Sequence, residues 1–165
     1  MQITTESIKC LREQTSAGIM ECKRALEQAG GDVEAAASIL RERGHAIARK
    51  KEMREATQGL IECYVHAGGK IGALVELNCE SDFVARTPEF KELAHDLALQ
   101  VVATRPLVVG VEDIGEGISE EQCLLQQPFI RDASRTVKDI ITDLVIKVRE
   151  NIKVRRFVRF ELGSE

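Results

Sequence analysis

The chain contains no tryptophan, and aromatic residues make up only 4% of its 165 residues. Stacking platforms for single-stranded nucleic acid need aromatic faces spaced along a groove, so they are scarce here. An excess of basic charge is missing too: 23 Lys and Arg stand against 27 Asp and Glu, a net charge of -4. Coating nucleic acid requires a basic surface to neutralise phosphates, so direct nucleic-acid binding is not expected of the chain as a whole. No run approaches the roughly 20 consecutive apolar residues of a membrane span. The opening Met1-Gln2-Ile3-Thr4-Thr5-Glu6 lacks a basic segment followed by an apolar one, and the expectation is a soluble, unexported protein with no membrane partner.

Paired cysteines are also lacking. Cys10, Cys22, Cys63, Cys79 and Cys123 are odd in number and widely scattered, which argues against a secreted disulfide framework and for a reducing compartment. Neither GxxxxGK[ST] nor GxGxxG occurs, so the chain is not expected to hold a nucleotide itself. What remains is an ordinary globular composition, 44% hydrophobic and 30% charged, in a length that admits one domain or a small one joined to a larger.

The first module reads as three short helices. Thr4 or Thr5 caps a helix carrying Ile8 and Leu11, and Thr15 to Gly18 interrupt it. Met20, Cys22, Lys23, Ala25, Leu26 and Ala29 form a second helix leading to Gly30-Gly31, where glycine ends helices in the left-handed conformation. Asp32 caps a third, with Val33, Ala36, Ala37 and Leu40 at helical spacing and an expected stop at Gly44. From His45 the sequence turns polar, with Arg49, Lys50, Lys51, Glu52, Arg54 and Glu55 among good helix formers; this predicts a separate connector helix over 46–57.

At Gly59 the period changes to two. Leu60 to His66 and Ile71 to Leu77 flank Ala67-Gly68-Gly69-Lys70, a β-hairpin with glycines in its turn. The second arm is apolar on both alternating sets and is expected to be a central strand, covered on both sides for part of its length. Thr87 and Pro88 start a helix with Phe90, Leu93, Leu97 and Val101 on one face, and Arg105-Pro106 closes it. Residues 107–127 resist assignment. Asp132-Ala133-Ser134 precede an amphipathic helix carrying Val137, Ile140, Ile141, Leu144, Val145 and Val148. The final strand alternates, with Val154, Val158, Phe160 and Leu162 on one face and Arg155, Phe157, Arg159 and Glu161 on the other. The fold class is therefore α+β: an N-terminal three-helix bundle over 1–45, the connector over 46–57, and over 58–165 a small antiparallel sheet of about three strands packed with helices.

Catalytic chemistry finds little support. Cys63 and His66, three apart on a strand, point to opposite faces and make a poor zinc pair; a half-buried apolar cysteine is the better reading. A catalytic pair of Cys79 with His66 or His95 is compatible with the spacing, since such partners meet only in the fold, but nothing positive supports it. The arginines 155, 156 and 159 admit two readings, pairing with acids on a solvated face or contacting phosphates. Phe83, beside Asp82 at the join of strand and helix, also admits two: a core ring next to an N-capping acid, or a wedge offered to another molecule.

Four blocks bear on that choice: Leu11 to Leu26 (LREQTSAGIMECKRAL), Glu76 to Arg86 (ELNCESDFVAR), Gln127-Pro128-Phe129-Ile130, and Glu150 to Phe157 (ENIKVRRF). Together, in this order and spacing, they resemble the elongation factor Ts family, the guanine nucleotide exchange factors of elongation factor Tu. The resemblance implies a ubiquitin-associated-like bundle and a dimerisation-type α+β core. It implies elongation factor Tu as partner, in its GDP-bound and nucleotide-free forms, and exchange without covalent chemistry or a cofactor. Asp82, Phe83 and Val84 match the family's intruding element near the partner's magnesium site. Leu11, Arg12, Gly18, Met20 and Lys23 acquire interface or shaping roles, with bundle core as the competing reading for Leu11 and Met20. Asn151 and Ile152 fall in a further contact segment. A homodimer is admissible, and the implied compartment is the cytoplasm or, for an organellar form, the plastid stroma. Two positions depart from the family's pattern: Ser16 and Arg149 stand where it has glycine. The expectation is that glycine at 149 serves close backbone approach. The segment before Gln127 is shorter than in most relatives. A protein-binding module on the same scaffold without exchange activity is the alternative.

Overall fold

The structure, a computed structural model, describes residues 3–164. Met1 and Gln2, which begin the opening stretch considered above, lie outside the described residues. The chain divides into two compact units, one up to Lys51 and the other from Glu52 onward.

In the first unit, Thr4 caps helix α1 (Thr5–Thr15) by accepting from the Ser7 amide at 3.1 Å, while the Thr4 amide donates to Ser7 Oγ at 3.1 Å. This reciprocal pair satisfies two backbone donors that the first turn would otherwise leave open. Gly18 precedes helix α2 (Ile19–Gln28), and its amide donates to Glu21 Oε2 at 3.1 Å. Asp32 Oδ1 accepts from the Ala35 amide at the start of helix α3 (Val33–Glu52). Leu11, Cys22, Ala25, Leu26, Ala36, Ala37 and Leu40 form the core.

The expected stop at Gly44 does not occur. Helix α3 runs through it to Glu52, with Gly44 buried, so most of the connector sequence continues the third helix. A glycine inside a helix costs about 1 kcal/mol relative to alanine but does not end it, and the strong helix formers after it carry the helix on.

In the second unit, strands β1 (Gln58–Val65), β2 (Ile71–Cys79) and β5 (Ile152–Glu161) form an antiparallel sheet in the order β1-β2-β5. The hairpin turn places Gly68 and Gly69 at φ 94° and 68°, and the His66 amide donates to Ile71 O at 2.8 Å. Central β2 buries Ala73, Val75, Leu77 and Cys79 on one face; near its end Asn78 is buried as well, whereas Leu74 stays exposed. Helix α5 (Pro88–Thr104), capped by Thr87 with Pro88 at its first position, packs on β1 and β2.

Residues 107–127 contain three single 3₁₀ turns, at Val111–Asp113, Glu120–Gln122 and Leu124–Gln126. Strands β3 (Pro128–Phe129) and β4 (Asp132–Thr136) then pair as a short hairpin before helix α6 (Val137–Val148). Buried Gln100 fastens that hairpin: Oε1 accepts from the Ile130 amide at 2.7 Å and Nε2 donates to Pro128 O at 3.1 Å. Asp96 pairs with Arg131 at 2.6 Å. The Gln127 to Ile130 block thus serves internal anchoring.

The face assignment of the last strand needs correction. Leu77 pairs with Val154 and Glu76 with Arg156, leaving Arg155 as an extra residue in a β-bulge. One inserted residue reverses the side-chain parity beyond it. Ile152 and Val154 are buried, but beyond the bulge Phe157 and Arg159 take the half-buried positions while Val158, Phe160 and Leu162 are exposed. Among the described residues, no helix is long and apolar enough to cross a membrane.

Candidate protein-binding site

Strand β2 ends at Cys79, and the chain turns within two residues into helix α4 (Asp82–Ala85), a single turn. The cap is Ser81, not Asp82: Ser81 Oγ accepts from the Val84 amide at 3.4 Å, leaving Asp82 in the first turn, where it pairs with Arg86 at 2.7 Å. Val84 and Ala85 face inward and are buried. Phe83 points the other way and is 79% exposed. The core reading of this ring is thereby overturned. Val84, expected as part of the intruding element, belongs to the packing beneath it, so the accessible element is Asp82-Phe83.

Polar atoms of Ser81 are engaged from several sides. Its amide and hydroxyl both donate to the Glu150 carboxylate, at 3.0 and 2.6 Å. Its carbonyl accepts from Cys79 Sγ at 3.0 Å and from the Ala85 amide at 3.3 Å. In the opposite direction, Glu80 Oε1 accepts from the Asn151 amide at 2.6 Å. Two adjacent carboxylate–amide exchanges therefore join residues 80–81 to 150–151. Asn151 is only 3% exposed, and its side-chain amide donates to Arg54 O at 2.7 Å and Glu52 O at 3.3 Å. Ile152 is buried in the sheet. Expected as contact residues, both have side chains taken up by their own fold.

Arg149 ends α6 in the left-handed conformation, φ 61° and ψ 26°, its amide donating to Val145 O at 2.9 Å. Arg149 thus sits at a helix-terminating position of the left-handed kind that glycine usually occupies.

In the first unit, Leu11 is fully buried, in agreement with its bundle-core reading, whereas Met20 is 59% exposed, against that reading. Arg12, Gly18 and Lys23 are exposed, and Lys23 lies 3.9 Å from Glu27. Ile19, which sequence reasoning misses, is exposed beside Met20. Its spacing to Cys22 and Leu26 predicts an inward side chain, but it lies outside the bundle's packed core.

Cys79, the thiol weighed above for a catalytic pair, is not set up as a nucleophile. Cys79 is buried, and desolvation first, then the negative charge of Glu150, pushes its thiol up from its ordinary value. A raised thiol is the reverse of what thiolate chemistry needs. His95 faces Glu62 at 3.4 Å and Tyr64 edge-on, and His66 faces Tyr64. Cys63 is exposed, not half-buried. Among the described residues there is no group of three or more His, Cys, Asp or Glu placed to hold a metal. The arginines of β5 pair with acids: Arg155 and Arg156 with Glu76 at 3.6 and 2.8 Å, Arg159 with Glu161 at 2.8 Å.

An exposed ring on an anchored turn suits protein recognition. The family model described as Elongation factor TS matches residues 13–122. The chain belongs to the elongation factor Ts family. It is 46% identical to the elongation factor Ts of Carboxydothermus hydrogenoformans, covering 98% of this chain and 90% of that one. It is 44% identical to that of Coprothermobacter proteolyticus (99% and 100% covered) and 45% identical to that of Thermotoga petrophila (99% and 98%). These alignments run over 195 to 197 positions against 165 residues here, so the elongation factor Ts relatives carry sequence with no counterpart in this chain. The family is one of translation elongation factors.

Proposed function

We propose that this protein promotes GDP release from elongation factor Tu, and hence its reloading with GTP, by inserting Phe83 and Asp82 near the partner's magnesium and switch region. The observation that carries this reading is Phe83, held 79% exposed on a turn whose next two side chains, Val84 and Ala85, are buried. In P-loop GTPases, backbone amides and a lysine cradle the phosphates, while magnesium bridges phosphate oxygens to a hydroxyl and an aspartate. A ring driven between switch elements disturbs that coordination and loosens the nucleotide. Asp82 adds a negative charge beside the ring. No bond is made or broken, so the activity needs neither a nucleophile nor a cofactor of this chain's own.

Linkage makes the process reversible. If the protein weakens GDP binding by some factor, GDP weakens binding of the protein by the same factor, so incoming nucleotide expels it. In the first unit, exposed Ile19 and Met20, with Lys23 one turn further along α2, supply an apolar docking patch with a basic edge, and exposed Arg12 on α1 is a further contact candidate. This reading places the protein in the cytoplasm, or in the plastid stroma for an organellar form.

Stopped-flow measurement of labelled GDP leaving elongation factor Tu is the test. Faster release in the presence of the protein is the expected result, with most of the gain lost in Phe83→Ala. Equal rates with and without the protein would leave only the alternative, a binding module without exchange activity.

A homodimer is favoured by a separate observation. The sheet face away from α5 exposes Ile61, Val65, Leu74, Val158 and Phe160, a contiguous apolar surface of the kind that marks association sites. Sedimentation of the protein and of Phe160→Glu distinguishes the states: a dimer that the variant dissociates supports the reading, and a monomeric parent protein removes it.

A further inference from the structure

We infer that Glu150 is the positioning residue of the Phe83 prong, acting through Ser81. The inference rests on the exchange reading above. Helix α4 has four residues, too few to be stable by its own backbone hydrogen bonding. The Asp82–Arg86 pair lies in solvent, where such a pair contributes little. Val84 and Ala85 pack the turn onto its own unit, and its polar anchor from a distant part of the chain is Glu150, whose carboxylate takes both the amide and the hydroxyl of Ser81 in a partly buried setting. Bonds of this kind, with an ionised acceptor, are the stronger class. The same hydroxyl accepts from the Val84 amide, so Glu150 fixes the cap that fixes the turn bearing Phe83. Glu150 follows directly on the left-handed Arg149 and precedes Asn151, whose amide is held by Glu80. The carboxylate is thereby aimed from a rigid corner.

Without Glu150, α4 frays and only a fraction of molecules present the ring in its insertion geometry. Apparent affinity falls by that fraction. Loss of a charge-assisted anchor is expected to raise the concentration of the protein giving half-maximal GDP release about tenfold, while the rate at saturation changes little. Phe83→Ala lowers the saturating rate itself. That split separates orienting the ring from being the ring.

The experiment compares the full-length protein with Glu150→Ala, Glu150→Gln, Phe83→Ala and the Glu150→Ala/Phe83→Ala double variant in the GDP-release assay, with thermal unfolding of each. Glu150→Ala is expected to show the concentration shift. Glu150→Gln recovers most of the loss, because its amide oxygen still accepts from the Ser81 amide and its NH₂ reaches Ser81 Oγ. Adding Glu150→Ala to Phe83→Ala changes nothing further. A wild-type curve for Glu150→Ala, or a loss that persists in the Phe83→Ala background, overturns the inference while leaving the wedge intact. A Phe83→Ala variant with wild-type release overturns the wedge itself and removes any role for Glu150 in exchange. If Glu150→Ala does not fold, Ser81→Ala takes its place: it removes the hydroxyl end of the same clasp and must produce the same shift, and its failure to do so also overturns the inference.

Discussion

Ser16 and Arg149 close two helices in different units with the same left-handed backbone, at φ 54° and φ 61°. Residues with a Cβ are strained there, and glycine is the usual occupant. Ser16→Gly and Arg149→Gly are each expected to stabilise the protein by about 0.5–1 kcal/mol, the relief of strain exceeding the entropy that glycine adds to the unfolded chain. Urea unfolding of the single and double variants measures this. A loss of stability in both would show that the strain is already relieved by local contacts.

Gly59 presents the opposite case. It adopts φ 144° in β1, and a Cβ there would lie 2.1 Å from Leu77 O and 2.8 Å from Asn78 Cα. Both are backbone atoms of the central strand and cannot move aside without breaking the β1–β2 ladder. Gly59→Ala is expected to destabilise by about 3 kcal/mol, from strain and overpacking together. A shift in the urea midpoint below a third of the corresponding value would mean that β1, an edge strand, gives way at low cost.

These positions mark where the sequence was readable. The switch from helical to alternating period at Gly59 and the capping pair Thr87-Pro88 place the hairpin and α5, because periodicity and caps are local properties. Gly44 misled because whether a glycine ends a helix depends on the chain beyond it, here a run of strong helix formers. The faces of β5 misled for a different reason: alternation in sequence cannot reveal that Arg155 lies in a bulge, since the insertion is defined by its partner strand. At the site, burial statistics favour core packing for Phe83, and only the family resemblance points to its exposure. The Ser81–Glu150 clasp joins residues 69 apart in the chain; residue types alone give no signal for it.

The thiols carry a pH dependence with a definite sign. Cys79 and Cys123 are both raised from their ordinary values, chiefly by desolvation. The unfolded chain therefore releases these protons at lower pH than the folded one. Their contribution to stability is whole below the unfolded thiol value of about 8.5 and declines as pH rises through that value toward the folded ones. Unfolding free energy is expected to fall between pH 8 and pH 10, and less so in Cys79→Ala measured against its own value at pH 7. Thiol titration of the native protein at pH 8 should find Cys10 and Cys63 reactive and Cys22, Cys79 and Cys123 protected, following their exposure. Rapid reaction of all five would show that the core opens on the assay's timescale.

Phe83 and Phe90, seven positions apart, separate function from stability. Phe90 is fully buried against the sheet, and Phe83 is 79% exposed. Phe90→Ala removes a packed ring and leaves a cavity, which typically costs about 3–5 kcal/mol. Phe83→Ala removes little buried surface, so its cost to folding is expected to stay within about 0.5 kcal/mol. If the exposed ring acts on elongation factor Tu, the ranking reverses in the GDP-release assay: Phe83→Ala loses most of the acceleration while melting as the parent protein does, and Phe90→Ala retains acceleration in proportion to the fraction that remains folded. Equal losses of stability in the two variants would mean that the Phe83 ring packs inward in solution, and the exposed prong on which the exchange reading depends would not exist.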